Sequence, residues 1–249
     1  MKAHRENVRY LPGFAIPAEV QFAEFVDDLD SPEMTVAAVP SGAVREVCRA
    51  LNGRHKLVVV AAKGLEAVSA KTTTQVVQEC LPEAHVGTIS GPNLAVEIVR
   101  GIPTAAVTAF RDEGVAEVAR CAFNCRTYRV YVTSDVLGVE IAGALKNVLA
   151  IGAGMSDGLG FGDNTKGALL ARGLGEMTRL GLAMGARSET FFGLAGVGDL
   201  FATAVSKLSR NYRVGKALGE GRQLPEVLEE IGQVAEGVPT SESTLVLAK

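Results

Sequence analysis

Lys146 stands in the run VLGVEIAGALKNVLAI (136–151), where its only polar companions are Glu140 and Asn147. A lysine among small and aliphatic residues is costly to charge, so it is paired, snorkelling or functional. Desolvation also moves its pKa down toward the range useful for acid–base catalysis. Lys146 is therefore the first candidate for proton transfer.

Other polar groups fall at the ends of apolar elements. Lys63 and Gly64 follow LVVVAA, and in a parallel sheet the carboxyl ends of strands face the ligand crevice; the plainer reading of Lys63 is a solvated loop lysine. Ser90, Gly91 and Asn93 of SGPN can present a hydroxyl, a bare amide and a carboxamide, although S-G-P-N is also a good turn and helix start. Asp199 follows GLAGVG (193–198), where an acid is commonly a cap but can also pair with a buried cation. SRNYR (209–213) supplies Ser209 as a helix cap, Arg210 as a bidentate donor and Asn211 as another. Helix-end amides plus a guanidinium make a small phosphate cradle, against the bland alternative of a capped surface helix. Glu236 in QVAEG can hold a ribose hydroxyl. His4, His55 and His85 form no cluster, and no Ser/His/Asp order stands out. A hydrolase has little support.

These residues need a frame. The runs 34–39 (MTVAAV) and 57–62 (LVVVAA) read as strands buried on both faces, with further strands at 85–89, 104–109 and 128–132. Helices fit 41–52, with Ser41 as N-cap, then 66–80, 93–100 and 112–122. This alternation predicts parallel strands with right-handed crossovers in a doubly wound sheet. After Ser134–Asp135 the β-branched runs stop. Helices are expected at 136–154, 164–184, 190–204, 210–219, 224–232 and 239–248, so a sheet domain (1–135) precedes a helical one (136–249). GLGFG (158–162) and GLAGVG lie in the helical half and read as helix ends and tight turns. No GxGxxG turn after a strand precedes residue 34, so the sheet is expected to be incomplete at its front edge.

The 249 residues suffice for one large or two modest domains. A net charge of −3 gives no nucleic-acid surface. The four cysteines form no CxxC pair, so reduced, mostly buried thiols in a cytoplasmic protein are expected, and no metal site. The opening MKAHRENVRYLPG is polar, unlike a secretory leader, and no uninterrupted apolar run reaches the ~18 residues of a membrane span.

Taken together the segments resemble the bacterial-type NAD(P)-dependent glycerol-3-phosphate dehydrogenase family. The likeness runs through NVRYLPG (7–13), VPS (39–41), KGLE (63–66) and SGPNLAVEIVRGIPTA (90–105). It continues through the long segment 133–181 containing ALKN, then GLAGVGDLFAT (193–203), LSRNYRVGKALG (208–219) and GQVAEGV (232–238). The resemblance implies a partial doubly wound (Rossmann-like) α/β sheet followed by an all-α substrate domain. It implies reversible reduction of dihydroxyacetone phosphate to sn-glycerol 3-phosphate with NADPH or NADH, feeding glycerophospholipid synthesis. Lys146 becomes the proton donor and acceptor. Lys63, Gly91, Asn93, Asp199, Ser209, Arg210 and Asn211 become substrate contacts, and Lys63, Ala95, Arg210, Val234 and Glu236 cofactor contacts. Asn93 stands where the family usually has Ser or Thr. The partner is a small molecule, with neither nucleic acid nor a membrane span, and a homodimer is compatible. The family's opening strand, GxGxxG turn, first helix and second strand are not found, and the family continues past Lys249. The reading therefore also carries a chain cut at both ends that binds cofactor poorly, and a related dehydrogenase acting on another small hydroxy acid.

Overall fold

The computed structural model describes residues 4–28, 32–51 and 55–248. Strands β1 (Glu6–Asn7) and β2 (Leu11–Ala15) make an antiparallel hairpin that the sequence reading did not anticipate. The central sheet runs in chain order: β3 (Thr35–Ala37), β4 (Leu57–Val60), β5 (His85–Ser90), β6 (Thr104–Ala109) and β7 (Tyr128–Thr133). Val58, Val59 and Val60 are fully buried, as a strand covered on both faces requires.

The fold class is α/β as expected, but one pairing differs. β3, β4 and β5 are parallel, as are β6 and β7, whereas β5 and β6 run antiparallel. Between them lies only the five-residue helix α3 (Ala95–Val99), too short to carry the chain back across the sheet. The chain turns back between Asn93 and Thr104 instead, and Gly91 still runs close beside β6. The φ of Gly91 is +134°, and a Cβ there would lie 3.0 Å from the carbonyl of Ala105 on β6.

Of the sheet-side helices, α1 is Val44–Ala50, α2 is Thr73–Cys80 and α4 is Glu113–Phe123. The expected helix 41–52 opens as a 3-10 turn (Ser41–Ala43), and its last residue, Asn52, lies outside the described residues. Ser41 does not cap it. The expected helix 66–80 is half right. Residues 66–72 are not helical, because Leu65 and Thr72 pair across a bridge and Glu66 is drawn to Arg45. Helix α2 starts where Thr72 and Gln75 form a capping box. The thiols also differ from expectation: Cys48 is buried and Cys80 partly so, but Cys121 and Cys125 are exposed.

The helical half comprises α5 (Val136–Gly158), α6 (Gly162–Ala183), α7 (Ser188–Phe192), α8 (Asp199–Val205), α9 (Arg210–Gly219), α10 (Leu224–Ile231) and α11 (Gly237–Leu247). The expected helix 190–204 is split, with GLAGVG forming a π turn (Leu194–Gly198) between α7 and α8. Helix α5 is the axis of this half. It is long and apolar enough to cross a membrane, yet 67% of that span is buried inside the protein, as in a core helix. Asp135 caps it by accepting from Gly138 N at 3.0 Å. Glu140 ties it to the sheet side, accepting from Thr73 Oγ1 and Thr74 N at 2.8 Å each, and from Thr74 Oγ1. Burial nonetheless raises the Glu140 pKa.

Helix α9 lies on α5 backbone to backbone. A Cβ on Gly215 would fall 1.9 Å from the Ile151 carbonyl oxygen, and one on Gly219 2.5 Å from that of Met155. One turn earlier Asn211 bonds Asn147 at 2.8 Å. The partners advance together, so the two helices run parallel. The N-terminus of α9 is thereby held level with Asn147, one residue beyond Lys146.

Candidate active site

The carboxylate of Asp199 is the hub. Its Oδ1 accepts from Lys146 Nζ at 2.8 Å and its Oδ2 from Lys63 Nζ at 2.6 Å. The three groups come from different places: Lys146 from the middle of α5, Lys63 from the loop just after β4, and Asp199 from the start of α8 where the π turn delivers it. Lys146 also donates to Thr203 Oγ1 at 2.7 Å, and Lys63 to the Gly91 carbonyl at 2.9 Å. Gly143 makes room for this crossing, since a Cβ there would meet Ser90 Oγ at 3.1 Å and Lys63 Cγ at 3.6 Å.

One buried carboxylate serves two ammonium groups, so the trio carries a net positive charge. Burial and then Lys63 depress the Lys146 pKa to about 8, outweighing Asp199, with Arg210 adding to the depression. Burial pushes the Asp199 carboxyl up, but Lys63 and Lys146 together hold it below its ordinary value. The lysine side chains are 18% (Lys63) and 8% (Lys146) exposed. The more deeply buried Lys146 is therefore the one poised to exchange a proton.

The remaining expected residues divide into those gathered at the hub and those held elsewhere. Ser209 caps α9, its Oγ accepting from Tyr212 N at 3.2 Å. Arg210 is exposed at the first turn of that helix. Asn211 is engaged at both ends of its amide, donating to Asn147 Oδ1 and accepting from Gly237 N at 2.9 Å. Asn93 accepts from the Tyr128 hydroxyl at 2.8 Å. Glu236 closes the two halves of the chain together, taking Ser41 N at 2.9 Å and Ser41 Oγ at 2.5 Å. Gly64 lies against that pair, its absent Cβ 3.2 Å from Glu236 Oε2. Ala95, opening α3, and Val234, in the loop before α11, are both exposed and stand outside the hydrogen-bonded cluster.

Sequence reasoning missed Thr203, Ser41 and Tyr128. Thr203 was within reach, because it follows Asp199 by four residues and so shares its helix face. Ser41 read locally only as a helix cap, and Tyr128 gave no local signal.

Residues 1–116 match the description "NAD-dependent glycerol-3-phosphate dehydrogenase N-terminus" and residues 135–249 the corresponding C-terminus. A glycerol-3-phosphate dehydrogenase [NAD(P)+] of Desulfitobacterium hafniense is 45% identical over 252 residues, covering 100% of this chain and 72% of that protein. One from Thermoanaerobacter sp. is 47% identical over 249 residues, covering 98% and 75%. The crystal structure of glycerol-3-phosphate dehydrogenase from Coxiella burnetii superposes with a TM-score of 0.95 at 36% identity, over 100% of this chain and 77% of that one. With both halves matched and relatives 45% and 47% identical along nearly the whole chain, the chain belongs to the NAD-dependent glycerol-3-phosphate dehydrogenase family.

Proposed function

We propose that this chain is an NAD(P)-dependent oxidoreductase that interconverts dihydroxyacetone phosphate and sn-glycerol 3-phosphate, the latter a precursor of glycerophospholipids. The observation that carries this reading is the buried Lys146, poised by Asp199 beside Lys63 and level with the N-terminus of α9.

The site fits a nicotinamide cofactor at its polar wall. Ser90 is 2% exposed and its hydroxyl has no hydrogen-bond partner among the described residues, although it lies beside Gly143 and Lys63. Such an orphaned group calls for a ligand. Lys63, Ala95, Arg210, Val234 and Glu236 would hold the cofactor, which when bound supplies hydride to the substrate C2 carbonyl.

The protein's own part is proton transfer and positioning. In the reductive direction Lys146 Nζ gives a proton to the oxygen at C2, and in the oxidative direction it takes that proton back. Asp199 and Thr203 fix the position of Nζ through their hydrogen bonds. Gly91 and Asn93 line the carbonyl end, while Ser209, Arg210 and Asn211 form the phosphate corner at the positive end of α9. Binding the phosphate there positions the carbonyl at Lys146.

In this reading residues 1–135 form the cofactor side and 136–249 the substrate side, and the molecule works as a cytoplasmic homodimer. The direct test is turnover of dihydroxyacetone phosphate with NADPH and with NADH, with small hydroxy acids and their oxo acids as controls. Activity on the controls alone would overturn the substrate assignment. Arg210→Ala is expected to raise KM for dihydroxyacetone phosphate by about 10- to 100-fold, the value of a charged hydrogen bond. An unchanged KM would remove Arg210 from the phosphate corner.

A further inference from the structure

Asn93 is not free to turn its amide. The hydroxyl of Tyr128, at the start of β7, donates to Asn93 Oδ1 at 2.8 Å. The same turn is pinned from β6, where Thr104 Oγ1 donates to the Pro92 carbonyl at 2.9 Å. Two residues before Asn93, the Gly91 carbonyl accepts from Lys63, so the turn is part of the wall that carries the hub.

The phenol keeps its proton at any working pH. Burial first, and the nearby Asp199 charge, push the Tyr128 pKa up to about 12 against the opposing pull of Asn93. Among the described residues that proton has no acceptor other than Asn93 Oδ1. An amide has a donor end and an acceptor end, so committing Oδ1 to the phenol decides where Nδ2 points. Nδ2 has no protein partner among the described residues.

We propose that Tyr128 is a positioning residue that acts through Asn93, locking its amide so that Nδ2 donates to an oxygen of the three-carbon phosphate substrate. The proposal rests on the reading of this site as the one for dihydroxyacetone phosphate. A hydroxyl at position 93 needs no such lock, because it rotates to suit its partner. An asparagine does need it, because the flipped amide would set a carbonyl lone pair against the substrate oxygen.

Four proteins test this: wild type, Tyr128→Phe, Asn93→Ser and the double variant, compared by steady-state kinetics with dihydroxyacetone phosphate and NADPH. Tyr128→Phe removes one oxygen and is expected to raise KM about fivefold with kcat nearly unchanged, the worth of one orienting hydrogen bond. In the Asn93→Ser background the same change is expected to leave KM where Asn93→Ser put it, since nothing remains to orient. An unchanged KM in Tyr128→Phe would overturn the proposal. So would an equal rise in both backgrounds, which would mark a general packing effect. If wild type fails to turn over dihydroxyacetone phosphate, the reaction assignment falls separately. Calorimetric Kd values for glycerol 3-phosphate in the same four proteins then read the coupling directly, and its absence would overturn the role of Tyr128.

Discussion

Lys146→Ala is expected to lower kcat by about 10²–10⁴-fold, the usual worth of a positioned general acid. Lys146→Met, which preserves much of the volume, is expected to do the same. The two variants separate chemistry from packing. Removing Lys146 takes away a buried cation that burial and Lys63 already disfavour, and leaves Asp199 paired with Lys63. The depressed pKa shows that the fold disfavours the charged form of Lys146, and Asp199 is not left unpaired when it goes. The methionine variant should therefore melt at or above the wild-type temperature while losing its turnover. Near-normal kcat in either variant would end the assignment of Lys146 as the proton donor.

The same lysine predicts opposite pH dependences for the two directions. Reduction needs the protonated amine, so its rate should fall as pH rises through about 8; oxidation needs the neutral amine and should rise there. The sign for stability follows from linkage. The pKa in the fold lies below the ordinary lysine value of 10.5, so between about 8 and 10.5 the unfolded chain binds more protons. Folding stability attributable to this residue is thus lower below pH 8 and grows as pH rises through that window. Lys146→Met should abolish that increment, which a pair of pH-dependent melting series would show.

Much of this site was legible because its signals are local. A single lysine in sixteen mostly apolar residues announces α5, and Ser209 before a helical run places α9 at 210–219 correctly. Thr72 and Gln75 also spelled a helix start, in T-x-x-Q, but the helical spacing of 66–80 hid it. What could not be read was direction and distance. Apolar runs mark β5 and β6 as strands without saying that they are antiparallel. Ser41 resembles a cap because its true partner, Glu236, lies 195 residues away. Asp199 was visible as an acid after a glycine turn, but its sharing between Lys63 and Lys146 exists only once β4, α5 and α8 meet.

That sharing makes Asp199 the residue whose loss is expected to cost most in stability. Asp199→Ala leaves two ammonium groups facing one another in a buried site with no carboxylate between them. Removing one partner of a buried ion pair typically costs about 3–5 kcal/mol. Lys63 has the Gly91 carbonyl and partial exposure to fall back on, whereas Lys146 keeps only Thr203. The first response of the site is therefore to lose the Lys146 proton. Asp199→Asn, which keeps the shape and an acceptor oxygen, isolates this effect: its reductive pH limb should move to the acid side of the wild-type value, because only the favourable charge has gone. Both variants should melt earlier than wild type, alanine more so, and the loss should shrink as pH rises and Lys146 becomes neutral. An unshifted limb in Asp199→Asn, together with an unchanged melting temperature in Asp199→Ala, would mean that the carboxylate neither holds the lysines nor tunes them.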